Sequence, residues 1–323
     1  MKKTEKRENE MKGLELSEKF YREYGEKMIA ENFSEFEGKI ACGLAGSGSE
    51  CFGFDDDISA DHDFEPGFCM FVPDGLLDSK TEYRLERAYA KLPEEFEGFK
   101  RSKLSPVGGN RHGLIYIGDF LEARTGTRDG KLSLSGWLSI PSHYLAEVVN
   151  GKIFRDDSGF FSSIRESFKM PEDARRKKLA GELLLMNQSG QYNYMRCIEH
   201  GEPAAAQLAA LEFVKHTLSA VFLLNDRFMP YYKWQFRALK ELPILGNLGD
   251  SLYFLMSYEN SKDYVQLKCD MIEDVASLVI TALQDQSMTK AICGDLEKHA
   301  YSVNDSIKDA SLRNANILAA VSD

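Results

Sequence analysis

The chain has 323 residues and a formal net charge of −11, and since a single hydrophobic core stops growing near ~250–300 residues, two domains are expected. The acidic balance argues against a general nucleic-acid binder, because a phosphate backbone repels such a surface. Nothing approaches the ~18 consecutive apolar residues of a membrane span. Residues 1–10 lack the apolar core of a secretory signal, and the six cysteines show no metal-type spacing. A cytoplasmic protein with reduced thiols and no membrane partner is therefore expected.

In chain order, residues 1–12 are charged and read as a flexible N-terminus. Leu16, Phe20, Tyr24 and Met28 then recur four apart with charges between them, a helical period. Residues 39–44 read as a first strand that delivers the chain into Gly46-Ser47-Gly48-Ser49. A short helix or irregular loop should follow up to Ser59. Within it Asp55-Asp56-Asp57 reads as a solvated turn with a side chain capping the backbone. A second strand carries Asp61 and Asp63 and continues through Phe71. Residues 76–92 are helical in pattern, with Leu85, Ala88, Tyr89 and Leu92 on the inner stripe. A turn-rich loop leads into a strand over 113–118, and 142–149 forms a short helix that Asn150-Gly151 stops.

The join between domains is placed at 151–160, and beyond Ser162 the pattern is almost wholly helical. Pro171-Glu172-Asp173 opens one helix. Another spans 203–224, with Leu208, Leu211, Val214, Leu218, Val221 and Phe222 as its apolar face. Further helices are expected at 252–256, 264–283 and from 289 to 296 or beyond. The fold class is α+β: a small mixed β-sheet domain over 13–150, followed by an all-α helical bundle over 151–323.

The chemistry concentrates in the first domain. Glycine and serine at 46–49 let backbone N–H groups approach an anion closely. On an extended strand Asp61 and Asp63 share one face, while His62 points the other way and reads as structural. Two carboxylates on one face can share a divalent cation, and Mg²⁺ favours phosphate oxygens in the rest of its shell. The pattern is a phosphate cradle beside a metal clamp.

Gly48-Ser49-x-x-x-Gly53 followed by Asp61-His62-Asp63-Phe64 resembles the nucleotidyltransferase fold of the minimal and aminoglycoside-type enzymes. The longer run from Gly48 to Phe64 is similar to an uncharacterised bacterial family of such proteins with a helical C-terminal half. So are Gln188-Ser189-Gly190-Gln191-Tyr192-Asn193-Tyr194 and Pro230-Tyr231-Tyr232-Lys233-Trp234. The resemblance implies transfer of a nucleoside monophosphate from an NTP, with ATP expected, to a hydroxyl of a small molecule, with release of pyrophosphate. Mg²⁺ is the implied cofactor, with two ions possible. Two alternatives stay open: an AMPylating enzyme whose acceptor is a protein, and a non-catalytic nucleotide-binding or interaction module.

Under this resemblance Asp61 and Asp63 hold the metal. Ser49 and the backbone from Gly48 onward receive the β- and γ-phosphates, with Gly46 and Ser47 sharing the turn. Lys233 is either a triphosphate contact from the helical half or a snorkelling lysine beside core aromatics. A third acid is implied on the 113–118 strand or just beyond it. Its centre, Ile115, is apolar, and the nearest acids are Asp119 and Glu122; Asp119 shares the parity of Ile115 and Ile117 if the strand continues. Tyr192, Tyr194 and Arg196 either line a cleft or pack at a helix junction. Arg175-Arg176-Lys177-Lys178 reads as a solvated face or as a polyanion contact.

Overall fold

The computed structural model describes residues 11–56, 65–101 and 111–321. They form a mixed helix-and-sheet structure that separates into two compact units, Met1–Lys131 with Glu147–Lys169 and Leu132–Ala146 with Met170–Asp323.

In the first unit, α1 (Gly13–Phe20) and α2 (Glu26–Asn32) are joined by a π-helical turn over Tyr21–Gly25. The four-residue period buries Leu16, Phe20 and Met28, and the extra residue of the π turn brings Tyr21 into the core as well. The start of α1 is tied down by Asp55, whose Oδ2 accepts from the Gly13 N–H at 2.8 Å. Asp55 is 5% exposed, so this residue corrects the expectation of a solvated turn: its carboxylate satisfies a helix end that the chain buries.

The sheet contains β1 (Ala41–Leu44), β2 (Cys69–Val72), β5 (Gly113–Tyr116) and β6 (Lys152–Arg155), in the order β5-β2-β1-β6. A small hairpin of β3 (Glu95–Phe96) and β4 (Phe99–Lys100) stands apart. Every residue of β1 and β2 is buried, which explains their unbroken apolar composition. Strand β1 is antiparallel to both β2 and β6, whereas β2 and β5 are parallel. Parallel strands need a crossover, and α4 (Ser79–Ala90) lies within it. This helix starts later than its apolar pattern suggests because Asp78 caps it, accepting from the Thr81 N–H at 2.8 Å.

The registers Gly43↔Cys69, Cys69↔Gly113 and Leu44↔Lys152 set one edge of the sheet. The end of β1 and the beginnings of β2, β5 and β6 all meet there. From Gly113, β5 runs away from that edge, and α5 (Ile117–Thr125) follows it directly. Residues 151–160, read from sequence as the join between domains, hold β6, the fourth strand of this sheet. Next comes α8 (Phe160–Ser167), whose Phe161 stacks on Phe71 of β2 with ring centroids 4.4 Å apart.

The second unit begins with α6 (Leu134–Ser139) and the first part of α7 (Ser142–Val149). It continues through α9 (Glu172–Met186), a π-helical stretch over Asn187–Tyr194, α10 (Met195–Glu199) and α11 (Pro203–Leu224). Then come α12 (Gln235–Leu239), α13 (Gly249–Ser257), α14 (Lys262–Asp285), α15 (Leu296–Asp305) and α16 (Ala310–Asn314). Leu183, Phe213, Val221, Leu252, Val279 and Leu283 share its core.

Helix α11 is long and apolar enough to cross a membrane by composition alone, yet most of its apolar window is buried in the core. Its inner face corrects the sequence reading in one place: Leu208 is 65% exposed, and Ala206, Ala210 and Phe213 take the core positions. The last expected helix begins at Leu296 rather than at 289, because Asp295 caps it through the Glu297 N–H. In the basic run, Lys177 is fully buried and donates to Asn304 Oδ1 and the Ala315 carbonyl, both at 2.8 Å. That part of the run is neither a solvated face nor a polyanion contact.

Candidate functional site

The turn after β1 adopts a backbone that glycine alone accommodates easily. Gly46 has φ +112° and Gly48 φ +127°, conformations that cost other residues about 1–3 kcal/mol. Space forbids a side chain as well. A Cβ on Gly46 would lie 2.6 Å from Arg124 Nη2, and one on Gly48 would lie 2.0 Å from Arg111 Nη2. Two guanidinium groups therefore press against the two glycines. Ser47, between them, is exposed, and Ser49 at the start of α3 (Ser49–Phe52) is half-buried.

Each arginine is held by its own carboxylate. Arg111 donates to the Ser47 carbonyl at 3.1 Å and pairs with Glu50, which is 6% exposed. Arg124 pairs with Glu147 at 3.1 Å and covers the Phe120 ring, with its guanidinium carbon 4.0 Å from the centroid. Burial pulls the Arg124 guanidinium below its ordinary value and pushes the Glu147 carboxyl above its own, each opposed by the other's charge.

Residues that follow the sheet's last crossover clasp the turn from the other side. Asn150 Oδ1 accepts from the Gly46 N–H at 2.9 Å, and its Nδ2 donates to the Gly46 carbonyl at 2.7 Å. Arg165 fixes that asparagine in turn by donating to the Val148 carbonyl at 3.0 Å and to the Asn150 carbonyl. Burial lowers the Arg165 guanidinium to about 10. At the start of β5, His112 lies 3.1 Å from Glu65, and a cavity of about 370 Å³ lined by His112, Leu114, Tyr83 and Arg87 opens beside that strand.

The structure thus brings Gly46, Ser47, Gly48 and Ser49 together as one turn. Asp61 and Asp63, and His62 between them, lie outside the described residues. Among the described residues no group of three or more His, Cys, Asp or Glu side chains is placed to hold a metal ion. Asp119 is not on a strand: β5 ends at Tyr116, so Asp119 falls in the first turn of α5, beyond the end of β5 that points away from the glycine turn. There Asp119 pairs with Arg128 at 2.5 Å, alongside Glu122 at 3.0 Å and Asp74 at 2.9 Å, all on the exposed surface. The parity argument for Asp119 fails because the chain turns helical two residues too early. Lys233 lies in the second unit, in a 3₁₀ turn over Tyr232–Trp234, with its ammonium 4.5 Å from the Trp234 ring centre. Tyr194 is buried and donates to Asn260 at 3.0 Å, while Tyr192 is exposed beneath Arg196.

Sequence reasoning missed Arg111, Arg124, Glu50, Glu147, Asn150 and Arg165. None of them has a local signature, because their roles arise from strand register. Only Asn150-Gly151 was singled out, as a helix stop.

Residues 137–235 match a family described as Domain of unknown function (DUF4037). Among solved structures the chain is similar to a nucleotidyltransferase-like protein from Exiguobacterium sibiricum 255-15. The identity is 11%, the coverage 87% of this chain and 90% of that one, and the TM-score 0.34. No protein of curated function matches the chain.

Proposed function

We propose that the protein binds a nucleoside triphosphate through the Gly46–Ser49 turn and transfers its nucleoside monophosphate to a hydroxyl acceptor. The observation that carries this reading is the turn itself. Two glycines at positive φ, with an exposed serine between them, are packed against two guanidinium groups, each paired with a carboxylate. Backbone N–H groups in such a bend, with arginine beside them, suit phosphate oxygens. Ser49 supplies a hydroxyl donor at the same place.

By the sequence resemblance, Asp61 and Asp63 would hold Mg²⁺. A metal bound there supplies charge neutralisation at the transferring phosphorus. The residues of this chain do the rest: Arg111 and the turn backbone fix the phosphates, Arg124 and Asn150 hold the turn, and Glu147 keeps Arg124 in place. In-line positioning is the main protein contribution to phosphoryl-type transfer.

One observation favours a second reading, a nucleotide-binding module without transfer. The described carboxylates at the turn edge each face a cation or an imidazole: Glu50 with Arg111, Glu147 with Arg124, Glu65 with His112. Asp119 and Glu122 are taken by Arg128.

Thermal denaturation with each of the four NTPs, with and without Mg²⁺, tests the shared premise, because a ligand stabilises the state it binds. An Mg²⁺-dependent rise in Tm that Asp63→Ala and Gly48→Ala both abolish supports the site. No rise with any NTP overturns it. Pyrophosphate release in the presence of hydroxyl acceptors then separates transfer from binding.

A further inference from the structure

The two arginines at the glycine turn are fastened through different atoms. Glu147 meets Arg124 at Nε, 3.1 Å away, and leaves Nη2 as the atom that lies against Gly46. Glu50 meets Arg111 at Nη2, which is also the atom that lies against Gly48. The same Nη2 donates to the Ser47 carbonyl at 3.1 Å. Each Nη of a guanidinium carries two protons, so both protons on the nitrogen nearest Gly48 already have acceptors.

Glu50 also stands closer to the bend than Glu147 does. A Cβ on Gly48 would lie 2.5 and 2.6 Å from the two Glu50 oxygens, whereas the three atoms nearest a Cβ on Gly46 belong to Arg124 and Phe120. One carboxylate therefore sits behind its arginine, and the other shares the space over the glycine with it. That space is where the turn and the guanidinium would meet a phosphate oxygen. Glu50 is 6% exposed. Displacing it from Arg111 strips a buried charge of its partner, a cost that an arriving anion has to outweigh.

We infer that Glu50 is a resident anion of the turn, which competes with phosphate for Arg111 and so selects the anions that the turn admits. The inference rests on the phosphate-binding reading of Gly46–Ser49 and adds a selectivity to it. Orthophosphate meets the turn at a single point and does not outweigh the Glu50–Arg111 pair. A polyphosphate chain makes several linked contacts, each of which raises the effective concentration for the next. Orthophosphate is thereby kept off, and the tail of a nucleoside triphosphate is admitted. A pair that only braced the fold would draw no such distinction.

Glu50→Gln keeps the shape and a hydrogen-bonding oxygen but removes the charge. The full chain is titrated without Mg²⁺, at constant ionic strength, with sodium orthophosphate and with sodium tripolyphosphate, and binding is read by calorimetry. The wild type is expected to bind tripolyphosphate and to give no saturable heat with orthophosphate. Glu50→Gln should bind tripolyphosphate about ten-fold tighter, the gain expected where about one molecule in ten has the pair open, and should bind orthophosphate as well. Glu50→Ala, read in parallel, should move affinity the same way, and thermal denaturation without ligand checks that each variant folds. In an Arg111→Gln background the Glu50 change should have no effect, because the competition runs through Arg111. Unchanged or weaker tripolyphosphate binding in both Glu50 variants, or orthophosphate binding to the wild type, overturns the resident anion and leaves the phosphate turn standing. No binding of tripolyphosphate or of any NTP, by wild type and variants alike, overturns the turn and Glu50's role with it.

Discussion

The helical unit encloses two lysines among neutral oxygens, whereas the sheet unit sets two arginines against its glycine turn. In the helical unit, Lys268 is fully buried, and its ammonium donates to Gln207 Oε1, Asn260 Oδ1 and the Tyr258 carbonyl. Lys177 likewise meets a carbonyl and an amide oxygen. An ammonium has three protons to donate, so Lys268 is spent on the fold and has nothing left to offer a ligand. In the sheet unit, Arg111 and Arg124 are fastened by carboxylates but press against a glycine turn whose middle residue faces water. A guanidinium has five donors in a fixed fork, enough to hold its own carboxylate and still face an anion. The comparison separates lysines whose donors are met by neutral oxygens inside the helical unit from arginines that meet a carboxylate and lie against the glycine turn.

The sharpest way to break that distinction is to remove a fastened arginine. Arg124→Ala leaves the half-buried Glu147 without its partner, and stripping one member of such an ion pair costs up to about 3 kcal/mol. Urea denaturation should show that loss, and Arg124→Met with Glu147→Leu should recover most of it. A somewhat smaller effect is expected in the other unit. Lys268→Met deprives Gln207 Oε1 and the Tyr258 carbonyl of a donor at a cost of about 2 kcal/mol, read as a lower denaturation midpoint with NTP-dependent stabilisation unchanged.

Alkali should distinguish the units next. Burial raises the Cys42 and Cys69 thiols of the sheet to about 12, and Cys51 beside them shifts the same way. Unfolded thiols release their protons near pH ~8.5. Between these values the unfolded state binds fewer protons than the folded one, so stability falls as pH rises, by up to about 1.4 kcal/mol per pH unit for each thiol. In the helical unit, burial lowers Lys177 and Lys268, which acts in the opposite sense. From pH 8.5 to 10 the transition seen by circular dichroism should therefore weaken more than the one seen by tryptophan fluorescence, which reports the helical unit. Cys42→Ala should flatten the difference. The smallest effect belongs to Asp119→Asn: this exposed ion pair should change stability by less than about 0.5 kcal/mol, and NTP-dependent stabilisation should not move.

Local chemistry was legible in the sequence. Pro203 opens α11 and the chain leaves that helix after Leu224, as the apolar period predicts. Glycines at 46 and 48 announce the turn from sequence alone. What the sequence hid is whatever depends on direction across strands. Strand parity makes Asp119 a third acid only if the strand continues through it, but β5 ends at Tyr116 and, paired parallel to β2, runs away from the turn. No sequence pattern marks Arg124, yet it lies against Gly46. Charge runs misled for a similar reason: Lys177 sits among three other basic residues, and only three-dimensional packing reveals that its ammonium ends in the core.

The Asn150 clasp on Gly46 joins residues 104 positions apart, and β6 pairs with β1 just beyond it. During synthesis the glycine bend therefore has no latch until the ribosome has passed residue 155. By then the chain has already laid down Leu132–Ala146, which belong to the other unit. A fragment ending at residue 149 would keep three strands of the main sheet but lack β6, Arg165 and the Asn150 latch on the bend.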